Sequence, residues 1–153
     1  MEEFRTVLLT SCSQHPTLET KIGHRVDRYI NPDTCVQMIN DTSKGCRRID
    51  LFLSAEAYGI IRDRLPLFQN IYFHLYCCSV DDISEYERLY PHRAYIQVIE
   101  EDLLWVKICY AILGHDVACL TTNYTLQTLE RYETTNTILR EEIEAAKFGV
   151  QPD

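Results

Sequence analysis

Glycine and proline are scarce in this 153-residue chain, with five of each. The common phosphate-binding loops need a glycine-rich turn, because only glycine lets the backbone approach the anion closely. Residues 10–15 and 54–58, which follow two of the apolar segments described below, contain no glycine. Nucleotide binding of the usual kinds is therefore not predicted, and no cofactor is expected.

Positive charge is also in short supply, since 15 Lys and Arg stand against 23 Asp and Glu, for a net charge of −8. Nonspecific nucleic-acid binding needs a basic surface that displaces counterions, and an anionic membrane attracts the same kind of surface. No apolar run has the length expected of a bilayer span, and the first residues lack the pattern of a secretion signal. We therefore expect no nucleic-acid or membrane partner and a cytoplasmic location.

Metal-ligand spacing is missing as well. The sequence has no CxxC or HxxxH pair, and the adjacent Cys77 and Cys78 of a predicted strand point to opposite faces. The seven cysteines are odd in number and lie mostly in apolar runs. We interpret them as reduced, largely buried thiols, and no metal site is predicted.

Two short, nearly continuous apolar segments, residues 48–54 and 70–76, indicate neighbouring central strands covered on both faces. Segments 6–10, 26–30 and 94–99 add three more strands, and helices alternate with them. This pattern predicts a three-layer α/β fold with a mainly parallel, five-stranded sheet in the receiver- or flavodoxin-like order 2-1-3-4-5, followed by a C-terminal helix. We place the α/β domain at residues 1–121 and a helical extension at residues 122–153.

Local signals set several helix ends. Asn31 can cap a helix whose first residue is Pro32, and Ser54 can cap the helix that follows the central strand. The helix from Asp102 is expected to end at Leu113, with Gly114 as its C-cap and residues 116–120 as a short extended piece.

The two last helices carry unusual apolar patterns. Helix 102–113, which includes Trp105, is apolar nearly all round, so a second element must cover its outer side. Residues 123–148 can fold back on their own domain or self-associate, and both alternatives stay open. Their 3-4 spacing predicts a heptad seam in which a buried Asn136 fixes the register, and the seam comprises Leu129, Tyr132, Asn136, Leu139, Ile143 and Ala146.

Ligands of doubly wound sheets bind at the carboxyl ends of the strands, which selects residues 10–15 and 54–58. Cys12 is a candidate nucleophile because it would lie at a helix N-terminus near His15, but a small residue in a turn is the favoured interpretation, since the chain has many plain cysteines. A cysteine phosphatase would need Arg where this chain has Leu18. The first strand ends in Thr10 rather than Asp, which excludes a phospho-accepting receiver site.

Three stretches, residues 29–40, 49–54 and 65–77, resemble in order and spacing a receiver-like domain that is abundant in rotifer proteins. That domain often precedes a mono-ADP-ribosyltransferase domain or tetratricopeptide repeats, and the resemblance covers residues 5–118. Ala55 and Tyr86 depart from the Gly and Trp usual in the family. Because the transferase signature is missing, the resemblance implies an accessory domain without transferase activity.

These observations predict a non-catalytic protein-interaction or regulatory domain of a signalling type, with a protein partner or a second copy bound by the last helices. The expected contact residues are Trp105, Leu129, Tyr132, Asn136, Leu139 and Ile143. The alternative is a small enzyme similar to TIR domains, acting on NAD or a nucleotide at the strand carboxyl ends. TIR NADases depend on a Glu in a helix beside the cleft, and Glu56 is the candidate for that role.

Overall fold

A computed structural model describes residues 4–10, 16–65, 70–77, 81, 84–85, 88 and 96–147. Within these ranges, five strands form one sheet in which every pairing is parallel and the order is β2-β1-β3-β4-β5. This confirms the predicted α/β class and the flavodoxin-like strand order. The strands are β1 (Phe4–Leu9), β2 (Asp27–Tyr29), β3 (Arg48–Ser54), β4 (Ile71–Cys77) and β5 (Ile96–Glu100).

Strand β3 is the central strand of the sheet, and its side chains are buried on both faces. Leu51 and Phe52 point to opposite faces, and both are fully buried. Leu51 pairs in register with Val7 of β1 and with Phe73 of β4. Burial on both sides explains the continuous apolar run of this segment and is consistent with a three-layer arrangement.

Two helices cover one face of the sheet and share its core. They are α2 (Pro32–Thr42) and α3 (Ala55–Ile61), which bury Ile39 and Tyr58 in the same apolar cluster as Leu51. The predicted cap of α2 is confirmed, since the Asn31 side chain accepts a hydrogen bond of 2.8 Å from the backbone N–H of Asp33. Local capping and an apolar stripe are together sufficient to place these helices.

Residue contacts divide the chain into two compact units. The first, within residues 1–12 and 26–104, holds the sheet with α2 and α3 and is called the sheet unit. The second, within residues 13–25 and 105–153, is called the helical unit. It contains α1 (Pro16–Ile22), most of α4 (Leu104–Thr122) and α5 (Leu126–Lys147). The boundary predicted between residues 121 and 122 coincides with the end of α4 and stays a prediction.

Helix α4 is longer than the sequence pattern indicated. It continues through Gly114 to Thr122, so both the predicted C-cap at Gly114 and the extended piece at residues 116–120 are wrong. A glycine inside a helix costs only about 1 kcal/mol, and the ion pair that Asp116 forms with Arg25 can offset that cost. A Cβ atom at Gly114 would meet no atom within 4 Å, so no close approach requires glycine here.

The greater length of α4 also bears on the membrane expectation. By length and composition alone this helix could cross a bilayer, contrary to the expectation that no stretch is long enough. A core helix packed inside a protein meets the same criterion, and about two fifths of the span (39%) is buried. The buried side chains of α4 include Leu104, Trp105, Ile108, Cys109 and Ile112.

Helix α5 begins at Leu126, three residues later than the start of the predicted segment. Thr125 and Thr128 bond reciprocally at its first turn: the N–H of Thr128 donates to the Thr125 hydroxyl (3.1 Å), and the N–H of Thr125 donates to the Thr128 hydroxyl (2.9 Å). These two contacts satisfy backbone N–H groups that the first turn of a helix leaves unpaired.

Candidate functional site

The carboxyl end of β3 is the place where the strand order predicts a ligand site. Cys12 and His15 of that predicted site lie outside the described residues, as does Tyr86. Glu56 lies in the first turn of α3 with an exposed side chain. Ser54 caps the helix as predicted, because its hydroxyl accepts a hydrogen bond of 3.1 Å from the N–H of Ala57. The catalytic roles suggested for Cys12 and Glu56 stay predictions.

A polar cluster that the sequence reasoning missed lies on one face of β3 and β4. Asp50 is fully buried and is bound by the Arg48 guanidinium, with Nε to Oδ2 at 3.0 Å and Nη2 to Oδ1 at 3.1 Å. His74 Nε2 lies 2.7 Å from Asp50 Oδ1. Arg48 also lies over the ring of Tyr72, 3.8 Å from its centroid. Two cationic or donor groups therefore compensate one buried carboxylate.

The imidazole of His74 is held on three sides. Its ring stacks on Phe52, with centroids 4.2 Å apart, and its Nδ1 lies 2.9 Å from Gln97 Oε1. Which ring nitrogen donates and which accepts depends on the tautomer and on the orientation of the Gln97 amide. In either case protein atoms occupy both ring nitrogens, which is the environment of a structural histidine rather than of a general base.

The position of the Asp50 cluster supports that interpretation. Asp50 is the third of seven residues in β3, whereas ligands of parallel sheets bind beyond the carboxyl ends. The signal that could have found the cluster is the register, because His74 pairs with Phe52 and Tyr72 pairs with Asp50. A charged residue inside an otherwise apolar central strand needs a partner on an adjacent strand, and the sequence alone does not give the register.

The helical unit contains a second buried carboxylate, Asp116, whose side chain is 1% exposed. Arg25 binds it bidentately, with Nη2 to Oδ1 at 2.7 Å and Nη1 to Oδ2 at 3.2 Å. The hydroxyl of Thr135 on α5 donates to Oδ2 at 2.6 Å. This contact joins α5 to α4 next to Asn136, which is half-buried, and the register role that the sequence pattern gave to Asn136 stays a prediction.

Two buried thiols, Cys35 and Cys109, are weak acids and therefore poor nucleophiles. Burial raises the pKa of Cys109 to about 11, with smaller contributions from Glu142 and Asp116. Burial alone raises the pKa of Cys35 to about 11. Both thiols stay protonated near neutral pH and are poor nucleophiles. The described cysteines are all free: Cys35, Cys46, Cys77, Cys109 and Cys119.

One side of α4 carries an exposed apolar stripe, which we call the α4 ridge. Tyr110 is 47% exposed and Val117 is 45% exposed. The stripe follows a 4-3-4-3 spacing along the helix and comprises Val106, Tyr110, Leu113, Val117 and Leu120, of which the other three are half-buried. Its charged neighbours on the helix are the buried Asp116 and Lys107, whose ammonium lies 5.9 Å from the centroid of the Tyr110 ring. Helix α5 contacts α4 at Asp116 and leaves Tyr110 and Val117 exposed.

The six residues predicted to bind a partner differ in how far their side chains are exposed. Trp105 and Leu139 are buried, at 1% and 3% exposure, and lie in the interior. Ile143 is 44% exposed, and Leu129, Tyr132 and Asn136 are half-buried. The buried side of α5 is centred on Thr135 and Leu139, so it is rotated from the predicted seam. Partner binding by the six residues stays a prediction.

Comparison with known proteins adds no match: no family model, curated protein or solved structure is similar to the chain. Within the described ranges, no group of three His, Cys, Asp or Glu side chains is arranged to hold a metal ion. The candidate functional site is therefore the α4 ridge.

Proposed function

We propose that this chain is a non-catalytic interaction domain that binds another protein through its last helices, and specifically through the α4 ridge. The observation that carries the proposal is the exposure of Tyr110 and Val117 on a helix that already buries Trp105 and Ile108 on its other side. A helix at a protein surface normally pairs one apolar face with a polar one. An apolar outer face is expected where another molecule covers it.

Helix α5 gives an internal comparison. Its exposed side chains are mostly polar or charged and include Glu130, Glu133, Thr137, Arg140 and Glu144, while Leu126 and Ile143 are exposed apolar residues. The two long helices belong to the same unit and differ in this respect. The apolar stripe of α4 is continuous from Val106 to Leu120, whereas the exposed apolar residues of α5, Leu126 and Ile143, lie far apart, and this difference supports an interaction role for α4.

The non-catalytic part of the proposal is supported by the way the charged clusters are compensated. Asp50 is bound by Arg48 and His74, and Asp116 by Arg25 and Thr135. Carboxylates bound in this way stabilise a fold and offer little to a substrate. Free, buried thiols support the cytoplasmic setting that we include in the proposal. The resemblance to the receiver-like rotifer domain suggests an accessory role beside another domain.

Site-specific photo-crosslinking in the source cells tests the proposal. A photoreactive phenylalanine analogue replaces Tyr110, and the matched control carries it at Glu133 on the exposed side of α5. We expect discrete adducts of higher mass at position 110 and none at position 133. A chain that forms no adduct at position 110, or the same adducts at both positions, would contradict an interaction role for the ridge.

A further inference from the structure

The spacing of the α4 ridge matches one particular kind of partner surface. Side chains at alternating intervals of four and three residues form the seam by which α-helices pair side by side. The ridge follows this spacing from Val106 to Leu120, and Tyr124, two residues after the end of α4, is 74% exposed. An apolar helix of similar spacing is the complementary surface. The same helix of a second copy satisfies that requirement.

The charge of the chain and of α4 limits which kind of molecule can bind the ridge. The chain has a net charge of −8, so two copies repel each other at most of their surfaces. Helix α4 contains one carboxylate, Asp116, and it is buried against Arg25. Two copies can therefore meet along α4 without bringing exposed carboxylates of this helix together, although the exposed Asp102 lies in the turn directly before it. A basic partner would find no exposed acidic group on this helix to bind, which argues against a cationic peptide.

Space for close approach exists beside the ridge. Gly114 is exposed next to Leu113, and a Cβ atom there would meet nothing within 4 Å. Thr121, about two turns further along the same side, is also exposed and fairly small. Small residues flanking a seam let a second helix come near enough for the larger side chains to interdigitate.

The exposed area of the ridge indicates that pairing of two copies should be weak. The uncovered parts of the ridge and Tyr124 come to on the order of 500 Å² per copy, so pairing removes on the order of 1,000 Å² from water. That value is at the lower limit for specific protein interfaces. It predicts a dimer that dissociates at micromolar concentration, with a Kd on the order of 10 µM.

We propose that the partner bound by the α4 ridge is a second copy of this chain, paired helix to helix about a two-fold axis. This inference rests on the proposed function and gives its partner. A symmetric pair uses the same surface twice, so a single substitution in the ridge alters both halves of the interface.

Sedimentation velocity of the full-length chain between about 2 and 200 µM, a range that brackets the expected Kd, tests the inference. Three proteins are compared: wild type, Val117→Glu in the ridge, and Thr137→Glu on the exposed side of α5. Both substitutions add one carboxylate at an exposed helical position, and circular dichroism checks that each variant is folded. Wild type and Thr137→Glu should dimerise alike, whereas Val117→Glu should weaken the dimer at least about tenfold.

Two results would overturn the second copy as partner. The first is a wild-type chain that stays monomeric at 200 µM, a concentration about twentyfold above the expected Kd. The second is equal dimerisation of Val117→Glu and wild type. A monomeric chain that pellets with neutral phosphatidylcholine vesicles, and loses this with Val117→Glu, would assign the ridge to lipid instead.

The crosslinking experiment separates the failure of this inference from the failure of the proposed function. An adduct at position 110 with the mass of two copies supports both statements. An adduct with a different protein, together with a monomeric purified chain, retains the interaction role and removes the second copy as partner. No adduct and no dimer would remove both.

Discussion

Thr135 donates a hydrogen bond of 2.6 Å to the carboxylate of Asp116, and this contact joins the two long helices inside the helical unit. Arg25, which ends the turn after α1, binds the same carboxylate from the other side. Three segments far apart in the sequence therefore meet at one buried charge. The stability of the helical unit should depend strongly on that charge.

Replacing Asp116 by Asn removes the charge and keeps the shape. We expect the free energy of unfolding to fall by about 2–4 kcal/mol, because the variant leaves the Arg25 guanidinium without its anion. The loss is set somewhat below that of a fully buried pair, since the Arg25 side chain is 25% exposed. Urea unfolding followed by fluorescence of the single Trp measures it. Asp63→Asn, at a side chain 91% exposed, is the control and should change stability by less than about 0.5 kcal/mol.

Thr135 and Asn136 are neighbours on α5, and we expect their replacement to have different effects on stability. Thr135→Val should cost about 1–2 kcal/mol, because it removes a buried hydrogen bond to a charged group. Asn136→Val should be nearly neutral, because Asn136 is half-buried and lies beside the polar contact. Urea unfolding of both variants under the same conditions gives the comparison. A larger loss for Asn136→Val would support Asn136 as the residue that sets the register.

In the sheet unit, Asp50→Asn should destabilise the fold by about 2–4 kcal/mol, because it weakens the contacts with Arg48 and His74 at a fully buried position. Asp33→Asn is the matched control. Asp33 pairs with Arg64 at 2.7 Å, but its side chain is 74% exposed, so we expect a loss below about 1 kcal/mol. Equal losses in chemical denaturation would contradict a structural role for the Asp50 cluster.

Alkaline pH should destabilise the chain through its buried thiols. The pKa of Cys109 is about 11 in the folded chain, and an unfolded thiol ionises near pH 8.5, so between these values the unfolded chain loses its proton first. Stability is therefore full below about pH 8 and falls as pH rises towards 11, by up to about 1.4 kcal/mol per pH unit for one thiol. Cys109→Ala should reduce that slope, whatever its effect on stability at pH 7. An unchanged slope would contradict the prediction.

The enzyme alternative has a direct test. We expect neither wild type nor Glu56→Gln to cleave NAD, because Glu56 is an exposed residue in the first turn of α3 and no described contact orients it. Nicotinamide release measured by chromatography detects turnover. Cleavage by wild type that disappears in Glu56→Gln would establish the TIR-like activity.

The sheet and its helix caps were predictable because local signals and the fold agree. The apolar run of β3, the pair Asn31 and Pro32, and the cap at Ser54 each point to the structure that forms. The end of α4 was not predictable, since Gly114 is a common helix terminator and the residue that holds the next turn, Asp116, binds Arg25 from a distant segment. The Asp50 cluster was not predictable for a similar reason, because it depends on the register of two strands.

The helical unit is discontinuous in the sequence. Helix α1 contacts α5 and pairs with it through Lys21 and Glu141, yet about a hundred residues separate the two helices along the chain. During synthesis α1 leaves the ribosome long before α5 exists, so Leu18 and Ile22, both buried in the finished fold, first emerge without those neighbours. The helical unit can close only after α5 has been synthesised. A nascent chain stalled before α5 would expose this apolar stripe to chaperones and proteases.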